Sequence, residues 1–177
     1  MTPTDIAAAL EQQFGPAVTG KNLTALDPFV TIDPAKLVDV CLFLRDDPRL
    51  RFELLNDITG VDFLETDPKK LAKAGFEPHL EILYHMSSFS FPGRRFTVKL
   101  VLPRWKGNKP GELPEVPSVA GVWRTADWHE REVFDLMGIV FTGHPDLRRI
   151  LLAEDWVGHP LRKDYEYPLE YHGIRCR

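Results

Sequence analysis

The sequence predicts a mixed α and β chain, from two kinds of repeat. Apolar residues return at helical spacing in three stretches: Ile6, Leu10 and Phe14; Leu37, Val40, Cys41 and Leu44; and Val133, Phe134 and Met137 with Trp128. Elsewhere they alternate. Leu80, Ile82, Tyr84 and Met86 share one side of a strand over 79–86, and Phe96, Val98, Leu100 and Leu102 share one side of its return over 95–102. At 177 residues the chain is long enough for one domain with a sizeable core.

The first helix has a clear start. Thr2 is placed to cap it, Pro3 to take the first helical position and Asp5 to complete a capping box, and Gly15 ends it. Gly15 to Lys21 (GPAVTGK) then imitates a phosphate-binding loop. The imitation fails on three counts. Asn22 stands where Ser or Thr would hold magnesium, Pro16 removes a cradling amide, and the loop follows a helix rather than a strand. It reads as a helix-to-strand turn. Phe29 to Ile32 is a strand, and Asp33-Pro34 opens a second helix whose Cys41 lies on the apolar stripe as a packing residue.

Strand material over 51–55 and 58–64 flanks Asn56-Asp57, and 66–78 reads as a polar, lysine-bearing insertion or short helix. The hairpin of 79–86 and 95–102 turns over 87–93. With four prolines and two glycines, 103–117 is a loop leading to Val119–Trp123 and the third helix. In that helix Asp127 precedes Arg131 by four residues, the favourable order for an ion pair. Gly138 supplies the left-handed stop, Ile139 to Phe141 a short strand, and Gly143-His144-Pro145 a turn.

Beyond this turn the pattern breaks down. Arg148, Arg149, Asp155, His159, Arg162, Lys163 and Asp164 are threaded among Leu147, Ile150, Leu151, Trp156 and Leu161 without a period. A segment of this kind cannot bury one face in its own core. It is read as a surface that packs on another protein, anchored by arginines and by Trp156. The tail from Tyr165 to Arg177 carries three tyrosines, Pro168 and Gly173 without a period, and is expected to be either disordered or held extended on a partner, the tyrosines favouring the partner. The expected organisation is therefore a core over 1–122, a helix and interface segment over 123–164, and a tail over 165–177.

Composition narrows the function. The 22 basic and 26 acidic side chains leave a net charge of −4, against the basic excess of nucleic-acid binders. No apolar run approaches a membrane span, none being longer than Val40–Leu44, and the N-terminus lacks the basic flank and apolar core of a secretion signal. Cys41 and Cys176 are the only cysteines, too few for an iron–sulfur cluster or a zinc ribbon, and reduced thiols in a cytoplasmic protein are the simple reading.

Catalytic patterns also fall away. His129-Glu130 begins a zinc-protease motif, but Val133 stands where the second histidine belongs. His144, His159 and Asp155 are the strongest metal-binding alternative, yet both histidines precede proline and so sit in turns rather than on one helical face. Glu130 and Glu132, two apart on a helix, point in different directions and are read as structural carboxylates bonded to arginines.

The run Glu130-Arg131-Glu132, Asp135, His144, Arg148 and Ile150-Leu151 resembles the signature of the 30-kilodalton (C) subunit family of NADH-quinone oxidoreductase, respiratory complex I. Asp155 to Asp164 (DWVGHPLRKD) resembles that family's second block, and Asp57 to Asp62 (DITGVD) its N-terminal strand motif. The resemblance implies an α+β fold of two layers, with helices packed on a mixed β-sheet and an extended C-terminal tail. It implies a place in the hydrophilic arm on the cytoplasmic face of the cell membrane, packed on the quinone-site (D) subunit and the iron–sulfur subunits. FMN, iron–sulfur clusters and quinone would all sit on those partners, with no cofactor in this chain. The corresponding subunits of membrane-bound hydrogenases and of ferredoxin-linked quinone reductases share the resemblance. It marks Glu130, Arg131, Glu132, Asp135, His144, Arg149, Asp155, Trp156, Arg162, Lys163 and Asp164 as interface and structural residues. Arg162 and Lys163 are expected to pair with a partner's acids and Trp156 to fill a partner's pocket, so that Arg162→Ala and Trp156→Ala would weaken assembly and spare the isolated fold.

Overall fold

The structure, a computed structural model, describes residues 1–71 and 73–176. Ala72 of the expected insertion and Arg177 of the tail lie outside the described residues. In chain order the elements are α1 (Pro3–Phe14), β1 (Val18–Asn22), β2 (Phe29–Ile32), α2 (Leu37–Asp46), β3 (Leu54–Phe63), α3 (Pro68–Leu71), β4 (His79–Ser87), β5 (Arg95–Pro103), β6 (Glu115–Pro117), α4 (Ala126–Met137), β7 (Val140–Thr142), β8 (Glu170–Tyr171) and β9 (Ile174–Arg175).

The capping chemistry read from the sequence is formed. The Thr2 hydroxyl accepts from the Asp5 N–H while the Asp5 carboxylate accepts from the Thr2 N–H, closing the capping box of α1. Asp33 accepts from the Ala35 N–H and opens a short 3₁₀ turn that runs directly into α2. The phosphate-loop imitation is a 3₁₀ turn followed by β1.

β1 to β5 form a mixed sheet in the order β1-β2-β5-β4-β3, with β2 and β5 parallel and the other neighbours antiparallel. The register aligns Ile58, Tyr84, Val98 and Val30 in one row across it, and Gly60, Ile82 and Leu100 in a neighbouring row. Side chains opposite one another in paired strands share a face, so these rows define the core side. Ile6 and Leu10 of α1, Leu37, Val40, Cys41 and Leu44 of α2, and Val133 and Met137 of α4 join the same apolar cluster. The result is the two-layer α+β arrangement expected, with helices on one side of a mixed sheet. The strand material around Asn56-Asp57 is one continuous strand, β3, with an irregularity between Leu55 and Asp57 that absorbs the break in alternation.

Gly60 sets how closely α4 approaches the sheet. A Cβ there would lie 2.9 Å from Met137 Cγ and 3.4 Å from a Val133 methyl. Gly60→Ala is therefore expected to cost about 1–3 kcal/mol through overpacking, read as a lower urea midpoint. An unchanged midpoint would show that α4 can lift away without loss.

Three expectations are corrected. Trp128, expected on the buried stripe, is 64% exposed, because the inward arc of α4 runs through Ala126, Glu130, Val133 and Met137. The loop over 103–117 contains β6, whose Val116 is buried and whose residues pair in parallel with β7. The tail is not extended throughout. It runs without regular structure over 165–168 and then folds back as the β8–β9 hairpin, where the Tyr171 ring packs 4.9 Å from that of Trp156.

Candidate functional site

The stretch from α4 to Asp164 is held to the fold by buried charged groups, each bonded within the chain. α4 ends at Gly138, whose φ of 65° and ψ of 52° are left-handed, the conformation its lack of a Cβ permits. A Cβ at that position would overlap the His159 ring, so the same glycine also admits the second Gly-His-Pro turn.

Asp135, fully buried on α4, is the hub of the turn over 149–152. Its Oδ2 accepts from the N–H groups of Ile150, Leu151 and Leu152 at 3.1, 2.8 and 2.9 Å, and its Oδ1 accepts from Arg149 at 2.6 Å. Burial alone would raise its pKa; the Leu152 N–H, the Arg149 guanidinium and the other two amides outweigh burial and hold the carboxyl below its ordinary value. Arg149 also donates to the carbonyls of Trp156 and Gly158. His159 Nδ1 donates to the Asp135 carbonyl at 2.9 Å, and burial lowers the imidazole pKa.

Arg162 closes the second staple. Its guanidinium donates to the carbonyls of Met137, Arg104 and Gly138 at 2.8, 2.9 and 3.1 Å, and lies 4.2 Å from the centre of the Trp105 ring. Arg104 in turn is clamped between Asp62 and Asp164, with two hydrogen bonds to each carboxylate. Burial works against that charge, but the Asp62 and Asp164 carboxylates overcome it and hold Arg104 firmly protonated. Asp62 Oδ2 also accepts the Lys163 N–H at 2.9 Å. Asp62 and Arg104 are not among the expected site residues. Asp62 could have been found, since it ends the strand motif DITGVD; Arg104 lies in proline-rich sequence that offers no signal.

Glu130 is a further fully buried titratable residue. Its Oε1 accepts the Val119 N–H at 2.6 Å and its Oε2 the Ser118 hydroxyl at 2.5 Å, so it ties the turn before α4 to the helix. Among the described residues no arginine bonds to it, contrary to the expected pairing. Burial pushes its pKa up to about 7, the two hydrogen bonds oppose this, and the nearby Asp127 charge adds to it. The folded state thus holds the Glu130 proton more tightly than the unfolded chain, whose glutamate titrates near 4.5. Its contribution to stability is full below pH 4.5 and is lost as pH rises through about 7. Glu130→Gln is expected to flatten the chain's stability between pH 5 and 8, a window worth on the order of 3 kcal/mol at most. A variant whose stability falls over that window as steeply as wild type would remove Glu130 as the cause.

The remaining marked residues divide by exposure. Arg131 is buried and donates to the Arg148 carbonyl at 3.2 Å, its guanidinium 5.2 Å from the Trp128 ring, in place of the expected ion pair with Asp127. His144 donates from Nε2 to the Asp127 carbonyl and accepts the Asp146 N–H at Nδ1, both at 3.0 Å. Asp155 accepts from Tyr171 and pairs with His172 at 2.7 Å. Trp156 is half-buried, and its indole N–H has no partner among the described residues. Glu132, Asp155, Lys163 and Asp164 are exposed.

This geometry bears on one expectation and on the metal-binding alternative. Arg162 has its donors on carbonyls of its own chain, so a pairing with a partner's acid is not what it makes here. His144, His159 and Asp155 are not brought together, and the described residues contain no group of three His, Cys, Asp or Glu side chains placed to hold a metal.

Fold and site together define a class of protein: an α+β module whose buried charges pin its own C-terminal arm. The family described as "Respiratory-chain NADH dehydrogenase, 30 Kd subunit" matches residues 30–171. The NADH-quinone oxidoreductase C subunit of Chlorobium phaeobacteroides is 40% identical over 167 residues, covering 94% of this chain and 90% of that protein. The C subunit of Roseiflexus sp. (strain RS-1) is 47% identical over 148 residues, covering 84% and 75%. That of Chloroherpeton thalassium is 38% identical, and the match spans 94% of this chain but 62% of the relative's length. Among solved structures, the trypsin-resistant fragment (1-134) of Nqo5 matches with a TM-score of 0.57 at 26% identity, over 80% of this chain and 98% of the fragment. The chain belongs to the 30-kilodalton subunit family of respiratory-chain NADH dehydrogenase.

Proposed function

We propose that the chain is the cofactor-free 30-kilodalton subunit of the peripheral arm of a proton-translocating NADH-quinone oxidoreductase. In this reading it packs on the quinone-site subunit and the iron–sulfur subunits at the cytoplasmic face of the membrane. FMN, clusters and quinone are carried by those neighbours. The observation that carries it is how the buried charges are used. Asp135 and Arg162 bond donors and acceptors of the chain itself and pin its C-terminal arm, and Glu130 likewise ties the turn before α4 to the helix. The arm in turn presents Leu151, Val157 and Leu161 at 60%, 84% and 56% exposure beside the exposed Lys163 and Asp164. Exposed apolar side chains interspersed with charge are the composition of a contact between subunits. No helix among the described residues is long and apolar enough to cross a membrane, in keeping with attachment through partners.

The test is a mild-detergent purification of the tagged chain from its own cells. Flavin and iron–sulfur subunits are expected to co-purify with inhibitor-sensitive reduction of quinone by NADH. Recovery of the chain alone, from cells shown to contain the intact respiratory complex, would overturn the reading. Hydrogen evolution or ferredoxin oxidation by the recovered complex would move the chain to a sister enzyme of the same architecture.

A further inference from the structure

β3 is the outermost strand of the five-stranded sheet, bonded to β4 on one side only. In an antiparallel pair alternate residues turn their N–H and C=O groups away from the neighbour. At one end the Leu55 carbonyl accepts from Thr125. From Asp57 to Phe63, no main-chain group on the outer side has a partner among the described residues. A long open edge of this kind invites pairing with another chain unless it is covered.

The space beside the edge is already shaped. α4 packs on the core face of β3, with Met137 and Val133 against Gly60. Two adjoining pockets run along the edge there, about 150 and about 270 Å³, sharing Gly60, Met137 and Leu161. Asp57 and Glu132 stand at one end of this groove and Lys163 at the other, with Leu136 and Leu161 between them. Leu161 is 56% exposed.

We infer that this groove receives an extended segment of a partner protein in the complex, which adds to β3 as a sixth strand. An outward row of amides and carbonyls is satisfied by an extended backbone, with pockets choosing alternate side chains. The groove specifies what those side chains are. A Lys or Arg faces Asp57 and Glu132, an apolar side chain fills the space over Met137 and Leu161, and an acidic side chain reaches Lys163. This groove adjoins the exposed apolar contact of the arm, with Leu161 and Lys163 common to both. It rests on the subunit reading only for the existence of a partner.

The experiment uses the purified complex, in which the subunit reading has already been tested, and the free full-length chain at low concentration. Hydrogen–deuterium exchange is followed by mass spectrometry over 57–63. The outward amides are expected to exchange about tenfold or more slowly in the complex than in the free chain, as amides do on gaining a hydrogen bond. Amides already bonded to β4 change little, which gives an alternating pattern that general burial would not produce. In a complex carrying Glu132→Lys, an exposed position outside the core, this added protection is expected to fall over 57–63 and to persist elsewhere in the sheet. Equal exchange of 57–63 in complex and free chain overturns the inference. So does slowing in the free chain that grows with its concentration, which would assign the edge to a second copy.

Discussion

Asp135→Asn is expected to cost the isolated chain about 3–5 kcal/mol, the range for breaking a buried ion pair from one side. The carboxylate collects three main-chain N–H groups and the Arg149 guanidinium. An amide in its place offers one oxygen and points an N–H₂ group at donors, so at least one bond becomes a donor–donor contact. Arg149 is then left partly buried without its counter-charge. Since a domain's whole margin is about 5–15 kcal/mol, the loss should appear as a large fall in urea midpoint. The pH dependence has a definite sign. A carboxyl held below its ordinary value stabilises the fold above pH 3.8 and loses that effect as pH falls through the depressed folded value. Wild type should therefore weaken in acid more than the variant does. A variant within about 1 kcal/mol of wild type at neutral pH would show that the 149–152 turn holds without its hub.

Arg162→Ala carries the second large effect, expected at about 3 kcal/mol or more. Three buried carbonyls lose a charged donor together, and each unsatisfied group costs about 1–3 kcal/mol, less whatever water recovers. The Trp105 ring also loses the guanidinium packed on it. Arg162→Lys should recover only part of this, because an ammonium lacks the planar spread of donors that reaches Met137, Gly138 and Arg104 at once. Limited proteolysis should then open the chain between Val157 and Asp164 before the sheet is cut. Resistance equal to wild type would leave the arm pinned by Asp135 and Arg104 alone.

Much of the fold is legible because its signals are local. The caps at Thr2 and Asp33, the alternation of the β4–β5 hairpin and the glycine at 138 each act within a few residues. β6 is hidden for the opposite reason. It is three residues long, sits among prolines, and pairs with a strand beyond α4. Trp128 misleads because its bulk suggests burial while its helical phase does not. The arc of Ala126, Glu130, Val133 and Met137 flags both the exposed tryptophan and the buried glutamate.

The site is legible in its members and less so in their roles. Glu130, Asp135 and Arg162 stand out as charges in apolar company, which marks either an interface or an internal network. What separates the two is the partner. Here the partners include main-chain carbonyls of Met137, Gly138 and Arg104 and main-chain amides of Val119 and Leu152, and these carry no sequence signature. Arg104 escapes notice for a related reason, since its two carboxylates lie 42 and 60 residues away.

Charges that build a subunit without entering its chemistry alter how much complex assembles and not how fast each complex works. The decisive measurement is turnover per assembled complex in Asp135→Asn cells, with NADH-driven quinone reduction normalised to bound flavin. The amount of assembled complex is expected to fall with the variant's lost stability while turnover per flavin stays at the wild-type value. Normal assembly with turnover lost would contradict this, and would put Asp135 in the reaction itself.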